Sequence, residues 1–283
     1  MILVTGANGP FGSAIVEELL RRMPGEKLAV SVRDPERARG LAARGVDVRT
    51  GDFDRPETLA AAYQGASTIF VNGTNYGAAV TGQAHRQLTA AIRAAEQAGA
   101  ERIVITSWQD LDHCPLAYAE PYRAVEDAAR SAFAGATILR MTWGMAASVA
   151  RDVHDAIRTG TLRAPAADAT IAPAAVADLA VAAATVLVDA GHEGRTYDLT
   201  GPDLIGWGDL AALAGPAVHY VAATDDEFRA HVVQHGFPAA AVDMLIDLYA
   251  AFRAGWGSHT STDLATLLPT APTPSIEAVR AAL

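Results

Sequence analysis

The sequence predicts an α/β protein, a doubly wound parallel sheet with a smaller, mostly helical carboxyl-terminal lobe. Three observations predict it. Short apolar runs alternate with amphipathic segments of helix length from the first residue to about Arg140. A glycine-rich turn joins the first run to the first helical segment. Beyond Arg140 the alternation gives way to a largely helical pattern.

Taken in order, Ile2 to Thr5 is a β-type run with no basic leader in front of it. Phe11 to Arg22 then carries Ile15 with Leu19 and Val16 with Leu20 at helical spacing. Leu28 to Val32, Val46 to Thr50, Thr68 to Val71, Ile103 to Thr106 and Thr137 to Arg140 read as further strands. Between two of them, Gln83 to Ala98 places Leu88, Ile92 and Ala95 on one stripe. Six strands separated by helices imply right-handed crossovers and parallel pairing. Residues 1–143 therefore form the sheet domain, and residues 144–283 the smaller lobe.

Within the second half, Val153 to Arg158 reads as a helix, and Ala174 to Asp189 as a long alanine-rich one. Thr196 to Leu199, ahead of Gly201-Pro202, is one more strand, so 174–200 is expected to return to the sheet. Thr224 and Glu227 have capping-box spacing before Phe228 to His235. Ala239 to Gly255 carries Val242, Leu245, Leu248 and Tyr249. The apolar, aromatic run Met244 to Trp256 is expected to roof a pocket or form a subunit contact. Pro269, Pro272 and Pro274 punctuate the tail.

Composition narrows the function classes. With 51% hydrophobic and 19% charged residues in 283, the chain can bury a sizeable core. A formal charge of −10 opposes nucleic acid and anionic membrane surfaces, which need a basic face. A small-molecule partner is the expectation, with the chain a monomer or homodimer. No segment reaches the about 20 apolar residues of a membrane span, since Ala172 to Ala190 is broken by Pro173, Asp178 and Asp189. The single cysteine, Cys114, cannot form an internal disulfide, which fits a reducing, cytoplasmic setting. Lys27 is the only lysine.

The turn Val4-Thr-Gly6-Ala-Asn8-Gly9-Pro10-Phe11-Gly12 follows a strand and opens a helix. Its glycines permit a tight turn, close approach of backbone to a pyrophosphate, and close packing of helix on strand. The helix amino terminus offers free N–H groups and its dipole to phosphates, and proline is tolerated in the first turn. This is expected to be the dinucleotide-binding signature of a Rossmann-type sheet, the alternative being an ordinary glycine-rich turn between strand and helix. Arg33, just after the second strand, faces the adenosine ribose in such a sheet, where a guanidinium would accept a 2′-phosphate. It favours NADPH, with Asp34 leaving NADH possible; the alternative is an arginine paired with Asp34 or Glu36. Asp52, followed by Phe53, could accept from the adenine amino group or simply form a turn. Asp54 is expected to cap the next helix, ahead of Pro56. Asn72, Gly73 and Thr74 end the fourth strand, and Thr106-Ser107 the fifth, at the carboxyl edge where ligands bind.

The sequence resembles the NmrA-like group of atypical short-chain dehydrogenases/reductases, which includes NAD(P)H:quinone oxidoreductases and triarylmethane dye reductases. The resemblance rests on Thr5 to Gly12, Val32-Arg-Asp-Pro35, Gly51-Asp-Phe53, Gln83-Ala-His85, Ala98 to Ser107 and Ile138-Leu-Arg140. It continues through Val176 to Ala180, Gly191-His192, Tyr197 to Pro202, Ala254-Gly255 and Asp263-Leu264. It departs from the pattern at Leu268-Pro-Thr-Ala271, where a Gly-Arg-Pro-like turn would stand. The resemblance implies that Gly6 to Gly12 and Arg33 hold the cofactor. It also implies that Asn72 to Thr74, Ser107, Thr142 and Trp143 surround the nicotinamide.

Main-type short-chain dehydrogenases use a Tyr-x-x-x-Lys pair with a serine, the lysine lowering the tyrosine pKa for proton transfer. Here the corresponding stretch runs from Tyr118 to Tyr122, so tyrosine stands where lysine would, with Glu126 four residues on. Tyr118, Tyr122 and Ser107 are the candidate catalytic residues, with aromatic packing between loop and lobe as the alternative for the two tyrosines. An ordinary phenol, with a pKa of about 10, is a poor proton relay at neutral pH. The expectation is an NADPH-dependent reductase of a conjugated, electron-poor molecule such as a quinone. The alternatives are a biosynthetic ketone, imine or enone reductase using Tyr118 as proton donor, and a non-catalytic NADP-binding sensor.

Two weaker patterns complete the reading. Ser107, Asp110 and His113 suggest a hydrolytic triad, but no Gly-x-Ser-x-Gly elbow is present. His231 and His235 have a metal-binding spacing on a helix, yet no acidic or cysteine partner follows them. They read as a solvated face, and no metal is expected.

Overall fold

The computed structural model describes residues 1–73, 82–142, 144–238 and 241–283. The chain opens β1 (Ile2–Thr5), α1 (Pro10–Arg22), β2 (Leu28–Val32), α2 (Arg39–Ala42), β3 (Asp47–Thr50), α3 (Leu59–Tyr63) and β4 (Thr68–Val71). It continues α4 (Gln83–Gln97), β5 (Arg102–Trp108), α5 (Ala119–Ala132), β6 (Thr137–Met141), α6 (Met145–Thr159), β7 (Thr161–Ala164), β8 (Thr170–Ile171) and α7 (Val176–Val188). It closes β9 (Thr196–Leu199), β10 (Ile205–Gly206), α8 (Trp207–Ala214), β11 (His219–Ala222), α9 (Asp225–Gln234), α10 (Val242–Arg253), α11 (Asp263–Leu267) and α12 (Ser275–Arg280).

Seven strands form one sheet in the order β3-β2-β1-β4-β5-β6-β9, with the order reversing direction at β1. The pairs β1–β2, β1–β4, β2–β3, β4–β5 and β5–β6 are parallel. The edge strand β9 joins in the same sense: Ile138 N–H donates to Arg195 O, and Thr142 N–H to Leu199 O. β1, β2, β4 and β6 are buried on both faces, which is why they read as unbroken apolar runs rather than alternating ones. The sequence reading of six strands plus a returning seventh thus becomes a doubly wound, Rossmann-type parallel sheet.

The chain divides into two compact units. The first comprises Met1–Leu111, Ala117–Met141 and Val176–Tyr197. Its core is the sheet's buried leucines, isoleucines and valines with the inner faces of α1, α4, α5 and α7. The second comprises Asp112–Leu116, Thr142–Ala175 and Asp198–Leu283. Here β7 pairs in parallel with β11, and β8 antiparallel with β10.

The second unit packs around aromatic rings. Trp207 lies 5.6 Å from Tyr249 and 5.7 Å from Phe252 between ring centroids, and Phe228 lies 5.0 Å from Tyr249. The run from Met244 to Trp256 therefore turns Leu245, Tyr249, Phe252 and Trp256 into this unit's own core, where a roof or subunit contact was expected. Asp152 is buried among the rings, accepting from Trp207 Nε1 at 3.1 Å and from the Tyr249 hydroxyl. Burial beside that carboxylate pushes the Tyr249 phenol well above its ordinary pKa. Among the described residues no helix is long and apolar enough to cross a membrane.

Candidate active site

The glycine turn is set by local sterics. Gly6 has φ +69°, a left-handed conformation that favours glycine. Its N–H donates to Ser31 O, and Gly9 N–H donates back to Gly6 O. A Cβ on Gly12 would lie 2.3 Å from Gly6 O, so α1 can approach β1 this closely only with glycine there. Gly9 differs: its φ is −87°, and a Cβ would meet only Gly6 O, at 3.4 Å.

The first turn of α1 carries no side-chain cap and no acidic residue, with Gly9 as the N-cap and Pro10 opening the helix. The N–H groups of Phe11 and Gly12 have no intrahelical acceptor by the geometry of any helix start. These features fit a pyrophosphate, with backbone N–H groups and the positive end of the helix dipole as its ligands.

Phe11 contributes only its backbone there. Its ring is buried and packs edge-on against Phe70, 6.3 Å between centroids. Asn8 ties the turn to the loop after β2, its Nδ2 donating to Asp34 O at 2.9 Å. Arg33 is exposed in that loop. Asp34 accepts from Glu36 N–H, and Glu36 pairs with Arg39. Neither forms the ion pair with Arg33 that the sequence left open, and among the described residues no carboxylate lies within ion-pair distance of its guanidinium. Phe53 is half-buried beside Asp52.

Asp52 is a turn-former: its Oδ1 accepts from Asp54 N–H at 3.0 Å, and its own N–H donates to Thr58 Oγ1. Asp54 is not the helix cap that was expected. The short helical turn after it starts from Arg55 without a side-chain cap. Instead, Asp54 Oδ1 accepts from Gln83 Nε2 at 2.7 Å and Gln87 Nε2 at 2.6 Å, both on α4. These two bonds, with the charge of Arg33 nearby, hold its carboxyl below the usual range.

At the sheet's carboxyl edge, neighbouring strand ends are cross-linked through small polar groups. Asn72 N–H donates to Thr5 Oγ1 at 2.9 Å, and Gly73 N–H to Thr106 Oγ1 at 2.5 Å. The Asn72 side chain sits over Gly6, whose Cβ would meet Asn72 Nδ2 at 3.2 Å. Thr74 and Trp143 lie outside the described residues. Thr142 belongs to the second unit, where its buried hydroxyl accepts from Ala174 N–H at 2.9 Å.

Tyr118 and Tyr122 come together in the first unit around a residue the sequence reading missed, Trp108, which follows Ser107 on β5. The Trp108 ring lies 4.9 Å from Tyr118 and 6.0 Å from Tyr122, and the two tyrosine rings are 6.3 Å apart. Both tyrosines are buried, one turn apart, Tyr118 as the N-cap of α5. A Cβ on Gly73 would approach the Tyr122 hydroxyl to 3.9 Å, which brings the α5 aromatics to the end of β4. Ser107 Oγ is buried with no hydrogen-bond partner among the described residues. The β-type spacing of the β5 end, with Trp108 continuing the strand two residues past the expected boundary, was the available signal for the tryptophan.

Two charged residues are placed away from this chemistry. Lys27 precedes β2 and so lies at the amino edge of the parallel sheet, opposite the tyrosines. Glu126, one turn beyond Tyr122, is committed to Arg140. Asp110 has a left-handed φ of +42° at the turn after β5.

A family model described as NAD(P)H-binding matches residues 6–186. Quinone oxidoreductase 2 of Escherichia coli strain K12 is 32% identical over 251 residues, 87% of this chain and 86% of the relative. An NAD(P)H azoreductase of Xenophilus azovorans is 30% identical over 264 residues, 88% and 86% of the two chains. Among solved structures, Citrobacter sp. triphenylmethane reductase complexed with NADP(H) superposes with a TM-score of 0.93 at 29% identity, covering 100% of both chains.

Proposed function

From the premise that the chain belongs to the NAD(P)H-binding family, among the NmrA-like atypical short-chain dehydrogenases/reductases, we propose an NADPH-dependent reductase of flat, conjugated, electron-poor molecules, quinones first among them. The observation that carries the reading is the Trp108–Tyr118–Tyr122 cluster beside Ser107, with tyrosine where a proton-relay lysine would stand. The relatives that act on quinones, azo compounds and triphenylmethane dyes support it.

NADPH, when bound, supplies the hydride. The remaining work falls to the chain. The Gly6–Gly12 turn and the amino terminus of α1 hold the pyrophosphate, Arg33 takes the 2′-phosphate, and Asn72, Gly73 and Ser107 line the nicotinamide end. The half-buried Trp108 ring, backed by the two buried tyrosines, gives a flat acceptor a stacking surface, so that proximity supplies much of the rate. An acceptor that is strongly electrophilic needs little proton assistance, so a hydrogen bond from a phenol to its oxygen suffices. Loss of NADPH absorbance in the presence of a panel of quinones, azo compounds and cationic dyes tests this. Turnover of quinones, faster with NADPH than with NADH, is expected; no turnover above background with any acceptor would overturn it.

A further inference from the structure

Two imidazoles and a carboxylate converge inside the second unit. His231 on α9 and His235, which caps that helix's carboxyl end, stand one turn apart, with ring centroids 4.3 Å apart. His231 Nε2 lies 2.5 Å from Asp155 Oδ2, which α6 supplies from 76 positions earlier in the chain. One donor atom from each of the three side chains lies within 4.8 Å of those of the other two. Among the described residues this is the one such group of three. The solvated face expected from the sequence is corrected in part: His231 is only 15% exposed, while His235 faces solvent.

We propose that Asp155, His231 and His235 form a binding site for a divalent transition-metal ion of the zinc class. Three features carry it. First, the donor set is two imidazoles and one carboxylate, which suits zinc and its neighbours, whereas magnesium and calcium take oxygen ligands. Second, the ligand atoms are already selected. His235 Nδ1 lies 2.8 Å from the carbonyl oxygen of His231, which can only accept, so the neutral ring carries its hydrogen on Nδ1 and leaves the Nε2 lone pair for the metal. Third, Arg158 Nη2 holds Asp155 Oδ1 at 2.5 Å, fixing that carboxylate and leaving Oδ2 as a single ligand atom.

The change required is small. The ion takes the place of the direct His231–Asp155 contact: Nε2 and Oδ2 separate from 2.5 Å to about 3.3 Å, and the third ligand atom closes to the same spacing, that of tetrahedral ligands at about 2.0–2.1 Å. Three protein ligands leave the fourth position to water. The bound ion would clip α6 to α9 and stabilise the second unit through its preference for the folded state.

Calorimetric titration of the chelator-stripped full-length protein with zinc sulfate, paired with thermal unfolding, tests the site. One tight equivalent and a rise in the unfolding midpoint are expected with zinc, and neither with magnesium. His235→Ala, on an exposed position, and Asp155→Asn should each weaken zinc by more than the about 10- to 100-fold that loss of an outer partner alone can cost. Both should keep the metal-free unfolding midpoint within a few degrees, which separates lost ligation from lost folding. Absence of zinc binding by the parent protein overturns the proposal, as does zinc affinity unchanged in both variants.

Discussion

Glu126 and Arg140 form a buried two-point ion pair: Oε1 accepts from Arg140 Nε and Oε2 from Arg140 Nη2, each at 2.9 Å. The carboxylate is 1% exposed and joins α5 to β6, with Arg130 adding a third bond at 3.1 Å from the helix's outer side. Glu126 shares a helix face with Tyr118 and Tyr122, so this pair sets where the tyrosines stand relative to the sheet edge. Glu126→Ala would remove both of these charge-assisted bonds from the largely buried Arg140 guanidinium. A loss of about 3–5 kcal/mol in urea unfolding is expected; a loss under about 1 kcal/mol would show the pair to be structurally idle.

The two later glycines of the turn should respond differently to alanine. Gly12→Ala places a methyl group 2.3 Å from Gly6 O, so α1 must move off β1. Both thermal stability and NADPH affinity should fall. Gly9→Ala meets only Gly6 O, at 3.4 Å, with an ordinary backbone conformation. It should leave the thermal midpoint nearly unchanged yet weaken NADPH in a fluorescence titration, because the methyl group occupies the path of the pyrophosphate. Equal cofactor affinity for Gly9→Ala and the parent would argue against the turn as the phosphate site.

Arg33 sits exposed at the end of β2 without an ion-pair partner among the described residues, free to meet a phosphate. A charge-assisted bond contributes about 1.5–3 kcal/mol. Arg33→Ala should therefore raise KM for NADPH by about 10- to 100-fold while leaving KM for NADH within about twofold. A matched rise for both cofactors would place the guanidinium elsewhere than at the 2′-phosphate.

Tyr118 discriminates between the two reductive chemistries. For an electrophilic quinone, Tyr118→Phe should lower kcat less than about tenfold, the effect of one lost hydrogen bond. General acid catalysis on a ketone or imine would instead cost about 10²- to 10⁴-fold. Steady-state rates of this variant and of Ser107→Ala, on the best quinone found, decide between them.

How much could be read before folding differs from residue to residue. The Gly6–Gly12 turn and the buried strands were legible, because glycine at a left-handed φ and apolar runs are local requirements that sequence states directly. Thr224 and Glu227 were legible for the same reason: a capping box spans four residues, and both of its bonds form. Asp54 was misread because its nearest explanation, capping the next helix, lost to two glutamines 29 and 33 positions away. Trp108 went unnoticed because a tryptophan at a strand end carries no motif; only the return of α5 brings Tyr118 and Tyr122 against it.

By itself, then, the sequence determined the parallel sheet, the glycine turn at its first crossover, and the want of a lysine near Tyr118, since the only one lies before β2 at the opposite edge. Tertiary structure alone decided which polar groups meet: Glu126 with Arg140, Asp54 with α4, Asp155 with His231 and His235. The physical reason is that hydrophobic periodicity specifies which face of an element is buried. It does not specify which charge or imidazole on a distant element will stand opposite, because that depends on how the buried faces pack.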